Sequence, residues 1–186
     1  MERKRLITLT EIAVMAGVGA ILSVFVALRL WPQGGSVSLA MVPIVLVAYR
    51  RGWVAGVVCG LLVGLFNLMT HPLIAHPVQV VLDYPLAYAA LGMAGLFPVR
   101  GEAGGWSGTG RIAWGVTVAG LLRFLSHFVS GVVWFGSYAP KEFSPVLWSV
   151  LYNLSYIIPD ILVSILVVSL LAAKAPRLVR RDEEPL

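Results

Sequence analysis

Apolar residues run in six long stretches, separated by charged, proline-containing or glycine-containing segments. They span 8–29, 36–49, 53–70, 77–97, 112–135 and 145–173. At 1.5 Å per residue such runs approach the thickness of a bilayer's hydrocarbon core, so the pattern predicts six transmembrane helices. The second is short and contains Pro43, which predicts a kink or a tilt. The sixth is long enough to project from the bilayer or to lie partly in its interface. Three polar residues interrupt the pattern at a shared depth: Asp83, His127 and Asn153. With antiparallel neighbours, all three fall roughly 9–12 Å below one face. Tyr84, Trp134, Phe135, Trp148 and Tyr152 lie close by in sequence. An anion, an imidazole and an amide among aromatic rings suit a small, flat, cationic molecule.

Composition supports the membrane reading. The 186 residues are 59% hydrophobic and 12% charged, with a mean hydropathy of +0.88. A soluble domain carries about twice that charged fraction. The chain therefore reads as one all-α membrane domain, 1–186, with no separate soluble part. The net charge of +5 reflects topology and not nucleic-acid binding, because the basic residues sit at the ends of apolar stretches. Arg3, Lys4, Arg5, Arg50, Arg51, Arg100, Arg111, Lys174, Arg177, Arg180 and Arg181 fall on one side, and only Arg29 and Lys141 on the other. This bias puts both termini in the cytoplasm and the polar layer near the outer face. The first apolar run is too long for a signal peptide and is expected to be retained. Cys59 is the single cysteine, which excludes an internal disulfide. There is no phosphate-binding glycine loop, so any ATP-driven work needs a partner. The connection 98–111 reads as a flexible linker, and the charged tail ends in RRDEEPL.

Small residues mark close helix packing. Gly52, Gly56, Gly60 and Gly64 form one stripe at four-residue spacing, which predicts packing within the bundle. Ala13, Ala16, Gly17 and Ala20 form a similar face on the first helix, open to internal packing or to a partner helix. Asp83 needs a partner, water or a ligand, since a carboxylate at membrane depth costs about 2.5–3.5 kcal/mol. Arg123 lies four residues before His127 on the same helix face, one turn deeper. Arg123 can pair with Asp83 or with Asp160, which is deep as well; an Arg123–Asp160 bridge would leave Asp83 for a ligand. Asn153 needs hydrogen-bond partners, from a neighbouring helix or from a ligand. Trp134, Phe135, Tyr138 and Trp148 suit an interfacial belt, a ligand cage, or both. Trp31-Pro32-Gln33-Gly34-Gly35 has the make-up of a lid, whereas His71 and His76 sit in a proline-shaped turn. Ser130 and His127, three residues apart, raise the remote alternative of an intramembrane hydrolase, without identifiable oxyanion donors.

These residues carry a family resemblance. RLITLTEIAVMA, PIVLVAYRRGWVAG, LDYPLAYAALGMAGLF, HFVSGVVWF, SYA and WSVLYN follow one another in the order and spacing of a known group. From about Arg5 to Arg177, the chain resembles the thiamine-specific substrate-binding (S) components of energy-coupling-factor vitamin transporters. The resemblance implies a six-helix bundle in a prokaryotic plasma membrane that captures thiamine from outside. It implies a partner module too, a membrane scaffold protein with two cytoplasmic ATPases, and no cofactor. The family's acidic pocket residue falls on Asp83, where glutamate is expected, and its neighbouring tyrosine on Tyr84. The pocket histidine and asparagine fall on His127 and Asn153. The expected tryptophan aligns with Phe135, one place after Trp134, and a pocket tyrosine aligns with Trp148. Trp31 matches the loop tryptophan with a shift of register, and Tyr152 precedes the asparagine. The small face with Ala13, Ala16, Gly17 and Ala20 matches the scaffold-docking motif. A stand-alone carrier driven by an ion gradient is the alternative within transport, with Asp83, Asp160, Arg123 and His127 as a proton relay.

Overall fold

The computed structural model describes residues 2–99 and 106–180. Residues 100–105 of the glycine-rich connection, with Arg100, and the tail from Arg181 onward lie outside the described residues. The fold is almost wholly helical. Among the described residues, four helices are long and apolar enough to cross a membrane: Arg3–Phe25, Trp53–Thr70, Gly108–Trp134 and Pro145–Lys174.

The first helix, α1 (Glu2–Phe25), stops four residues before the apolar run does. The cause lies in Arg29, whose guanidinium donates to the carbonyl oxygens of Ser23 and Val24 and so satisfies the open end of the helix. The chain then forms β1 (Ala27–Leu28), which pairs antiparallel with β2 (Val37–Ser38). Residues 29–36 are thereby held as a strap, turned by Gly34 (φ 89°) and Gly35 (φ 100°).

Helix α2 (Met41–Arg51) is shorter than the sequence pattern suggested and forms the centre of the bundle. Every residue from Met41 to Tyr49 is buried, as expected of a helix apolar on all sides. Pro43 falls in its first turn, where the missing N–H costs no internal bond. Gly52 (φ 96°) breaks the chain direction and leads into α3 (Trp53–Thr70). At this end Glu11 of α1 meets Arg50 and Arg51 at 3.4 and 2.6 Å.

The stretch expected as one helix over 77–97 changes its winding three times. It opens as α4 (Pro77–Val81), widens into a π-helical turn (Leu82–Leu86), returns as α5 (Ala87–Ala90) and tightens into a 3₁₀ helix (Leu91–Leu96). Pro85 lies inside the wide turn, where it has no N–H to give to the preceding turn. Gly60 and Gly64 of α3 pack against the backbone carbonyls of Tyr88 and Tyr84 on this run. Gly56 packs against Gly92 in the same way, so the glycine stripe serves internal packing.

Helix α6 (Trp106–Trp134) packs along α7 (Pro145–Lys174). Ser144 caps α7 by accepting from the Leu147 N–H, and Pro145 occupies its first position. The outward faces remain apolar. Leu162, Leu166 and Leu170 on α7 are 61%, 59% and 55% exposed at four-residue spacing. Such a stripe is satisfied by lipid and not by water.

Candidate functional site

A cavity of about 350 Å³ opens between the strap 29–36, the loop 71–76, the π-helical turn, α6 and α7. Its polar floor begins with Arg123. This buried guanidinium donates from Nη1 to Asp160 Oδ2 at 2.6 Å and lies over the Tyr88 ring at 4.9 Å. Asp160 also accepts the Ser38 N–H through Oδ1 at 2.9 Å, which ties β2 to α7. Of the two pairings open to Arg123, the one with Asp160 is present, and it cancels two charges at the bottom of the cavity.

Arg123 also orders the layer above. Its Nε donates to His127 Nε2 at 3.4 Å, so that nitrogen must be the acceptor of a neutral ring. The proton then resides on Nδ1, which donates to Asp83 Oδ1 at 3.0 Å. Asp83 Oδ2 receives Gln79 Nε2 and Ser130 Oγ, each at 2.7 Å. A carboxylate offers about four acceptor positions, and three are filled. Asp83 thus finds the partners its depth requires in neutral donors, and its charge is offset by none of them.

Asn153 joins the same layer. Its Nδ2 donates to Ser149 O at 2.8 Å and to His127 O at 3.4 Å, and its Oδ1 accepts the Tyr156 hydroxyl at 2.5 Å. Asp83, His127 and Asn153 do meet, as their shared depth predicted, though Asn153 is strongly engaged with the fold itself.

Aromatic residues build the upper wall. Trp31, Trp148, Tyr152, Tyr156 and Phe135 all line the cavity. The Trp31 ring meets Tyr156 edge-on at 5.5 Å, and its Nε1 donates to Ser155 Oγ at 2.7 Å. Tyr152 Oη accepts the Gln33 N–H at 2.9 Å and donates to Gly34 O at 3.0 Å, so α7 pins the strap over the cavity. Tyr84 does the same for the opposite loop: its hydroxyl donates to His71 O at 2.9 Å and accepts the Leu73 N–H at 2.7 Å. Trp134 departs from expectation. It is the last residue of α6, and it stacks on His76 at 5.3 Å, outside the cavity lining, while Phe135 just beyond the helix end lines the cavity.

Several lining residues had little prominence in the sequence. Tyr156 follows Asn153 by three and Tyr152 by four, a helical spacing that marks one face. Tyr88, Asn67 and Arg29 line the cavity also. His71, read as part of a simple turn, lies at the mouth. Burial, and then the nearby Arg29 charge, hold its imidazole below the usual histidine range. Ser130 and His127 both bond to Asp83, an arrangement for holding a carboxylate and not for activating a nucleophile.

On α1 the small face divides. Ala16 and Ala20 are buried in the bundle, at 7% and 6% exposure. Ala13 and Gly17 face outward, and a methyl group added at Gly17 would meet nothing within 4 Å.

An apolar-faced helical bundle around a strapped, aromatic cavity that holds the Asp83 carboxylate has the build of a membrane transport protein. The chain matches the family model described as "Thiamine transporter protein (Thia_YuaJ)" over residues 9–180. It belongs to that family of thiamine transporters, as the sequence resemblance implied. The thiamine transporter ThiT of Bacillus subtilis is 40% identical over 189 residues, covering 98% of each chain. That of Lacticaseibacillus paracasei is 26% identical over 191 residues, covering 95% of this chain and 92% of the relative. A solved structure of ThiT from Listeria monocytogenes shares 31% identity with a TM-score of 0.87, over 95% of this chain and 99% of that one.

Proposed function

We propose that this protein is the thiamine-capturing S-component of an energy-coupling-factor importer in a prokaryotic plasma membrane. The observation that carries the reading is Asp83: a carboxylate fixed by three neutral donors inside an aromatic cavity, above an arginine already matched by Asp160. A permanent cation such as a thiazolium ring supplies the missing charge, and the faces of Trp31, Trp148, Tyr152 and Tyr156 suit its flat rings. His127 and Asn153 present polar edges at the depth of the aminopyrimidine, and Tyr84 and Phe135 complete the wall.

In this reading α2 and the run 77–96 cross the membrane with the four long helices, and both termini are cytoplasmic. The cluster of Glu11, Arg50 and Arg51 supports that orientation, because it gathers basic residues at one end of the bundle. Ala13 and Gly17 dock on the membrane scaffold protein, which couples to two cytoplasmic ATPases. Ala16 and Ala20, assigned to docking from the sequence, serve internal packing instead.

Fluorescence titration of the purified protein with thiamine tests the site. Asp83→Asn and His127→Ala should each weaken binding at least about tenfold, the scale of one lost charged or bidentate contact. Wild-type affinity in both variants would remove the proposed pocket. Uptake that persists without any ATPase partner would instead favour an ion-coupled carrier.

A further inference from the structure

Gln79 is 1% exposed and lies outside the cavity lining, yet its side chain touches everything that shapes one wall. Its Nε2 donates to Asp83 Oδ2 at 2.7 Å and to Leu73 O at 3.0 Å. Its Oε1 accepts the N–H groups of Ala75 and His76 at 2.9 and 3.4 Å. All four hydrogen-bonding positions of the amide are used. The orientation is forced: two N–H groups face the oxygen, and two acceptors face the nitrogen. A flipped amide would oppose all four partners.

We propose that Gln79 is the positioning residue for ligand capture, orienting the Asp83 carboxylate and joining it rigidly to the 71–76 loop at the cavity mouth. The proposal rests on the reading that Asp83 faces the thiamine cation. A simpler role is available, because Gln79 completes a capping box at the start of α4 with His76. That role uses only Oε1. The nitrogen points the other way, to Asp83 and Leu73, and capping gives no reason for it.

Glutamate at this position separates the two roles. It keeps an oxygen for the cap, and its charge suits a helix N-terminus. It loses the donor, and when ionised it sets a second anion against Asp83. Two carboxylates sharing one site cannot both ionise easily, so one is pushed to a higher pKa. Once protonated, the glutamate regains an O–H to give to Asp83. The variant should therefore recover affinity as pH falls.

Other titratable or charged groups surround this point. His76, Tyr84 and Tyr88 lie on its own run, Arg123 and His127 on α6, and Tyr152, Tyr156 and Asp160 on α7. Arg29 and His71 lie on the strap and the loop. Wild type carries all of them, so the ratio of variant to wild-type Kd isolates position 79.

The experiment is thiamine titration of wild type, Gln79→Glu and Gln79→Met between about pH 5.5 and 8.5, by intrinsic tryptophan fluorescence. The Gln79→Glu ratio should rise at least about tenfold from the acid to the alkaline end, one pKa unit's worth. A ratio that is flat, or near one throughout, overturns the proposal. Gln79→Met keeps the volume and removes every hydrogen bond. It should bind more weakly than wild type by at least about tenfold, with no added pH dependence. Unchanged affinity in Gln79→Met overturns the proposal even if the glutamate variant does not fold. Wild type that fails to bind thiamine would overturn the functional reading itself, a result distinct from both variant outcomes.

Discussion

Gly64 of α3 lies so close to Tyr84 that a methyl group on it would come within 2.5 Å of the Tyr84 carbonyl oxygen. That carbonyl belongs to the π-helical turn that also carries Asp83. A residue on the neighbouring helix, with no atom in the cavity lining, therefore limits how closely the turn bearing the cavity-side Asp83 carboxylate approaches α3. Gly64→Ala should push the turn away from α3, cost about 1–3 kcal/mol of stability and weaken thiamine binding. Gly17→Ala is the control, since its methyl group meets nothing. Equal melting temperatures and affinities for the two variants would show that the contact has no such influence.

Asp160 is 1% exposed and holds both Arg123 and the Ser38 N–H. Removing one member of a buried ion pair costs about 3–5 kcal/mol, because the other is left buried and unmatched. Asp160→Leu should lower the melting temperature by more than about 5 °C. It should also reduce thiamine affinity, since the freed Arg123 charge then opposes a cation bound at Asp83. A stable variant with wild-type affinity would show that the pair matters to neither.

Tyr152→Phe removes the two hydrogen bonds that pin the strap at Gln33 and Gly34, but leaves the ring. Each bond contributes about 0.5–1.5 kcal/mol. Thiamine should dissociate roughly tenfold faster from the variant, with a smaller change in association. Stopped-flow fluorescence measures both rates, and an unchanged dissociation rate would mean that the strap does not retain the ligand.

Gly17→Leu places a large side chain on the outward face of α1, where space is open. Folding and thiamine binding should be unaffected, while uptake with the coupling module should fall to background. Retained uptake would remove Gly17 from the docking face, and loss of binding would show that the change reaches the bundle interior.

Much of this protein was legible without coordinates, because membrane solvation writes a coarse rule into the chain. Apolar run length marked the four long helices, and the polar layer was readable because few charges are tolerated at that depth. The same penalty required a partner for Arg123, but left the choice between Asp160 and Asp83 to the tertiary structure. The sequence pattern was less informative wherever helix winding or rotation mattered. The π-helical turn at Leu82–Leu86 and the 3₁₀ helix at Leu91–Leu96 leave the apolar pattern of 77–97 unchanged, because alternative windings bury much the same residues. Trp134 and Phe135 are adjacent, and only the rotation of α6 and its end at Trp134 decide that Phe135 faces the cavity while Trp134 stacks on His76.

By itself, then, the sequence determined the solvent in which this chain folds, its four long apolar helices and the grouping of Asp83, His127 and Asn153 in one layer. These depend on transfer energies that each residue carries with it. Tertiary structure alone decided which donors hold Asp83, why Gln79 belongs with them, and which half of the small face on α1 is left exposed. Those are matters of direction and distance between helices far apart in the chain, and hydrogen bonds are too short-ranged for spacing along one helix to specify them.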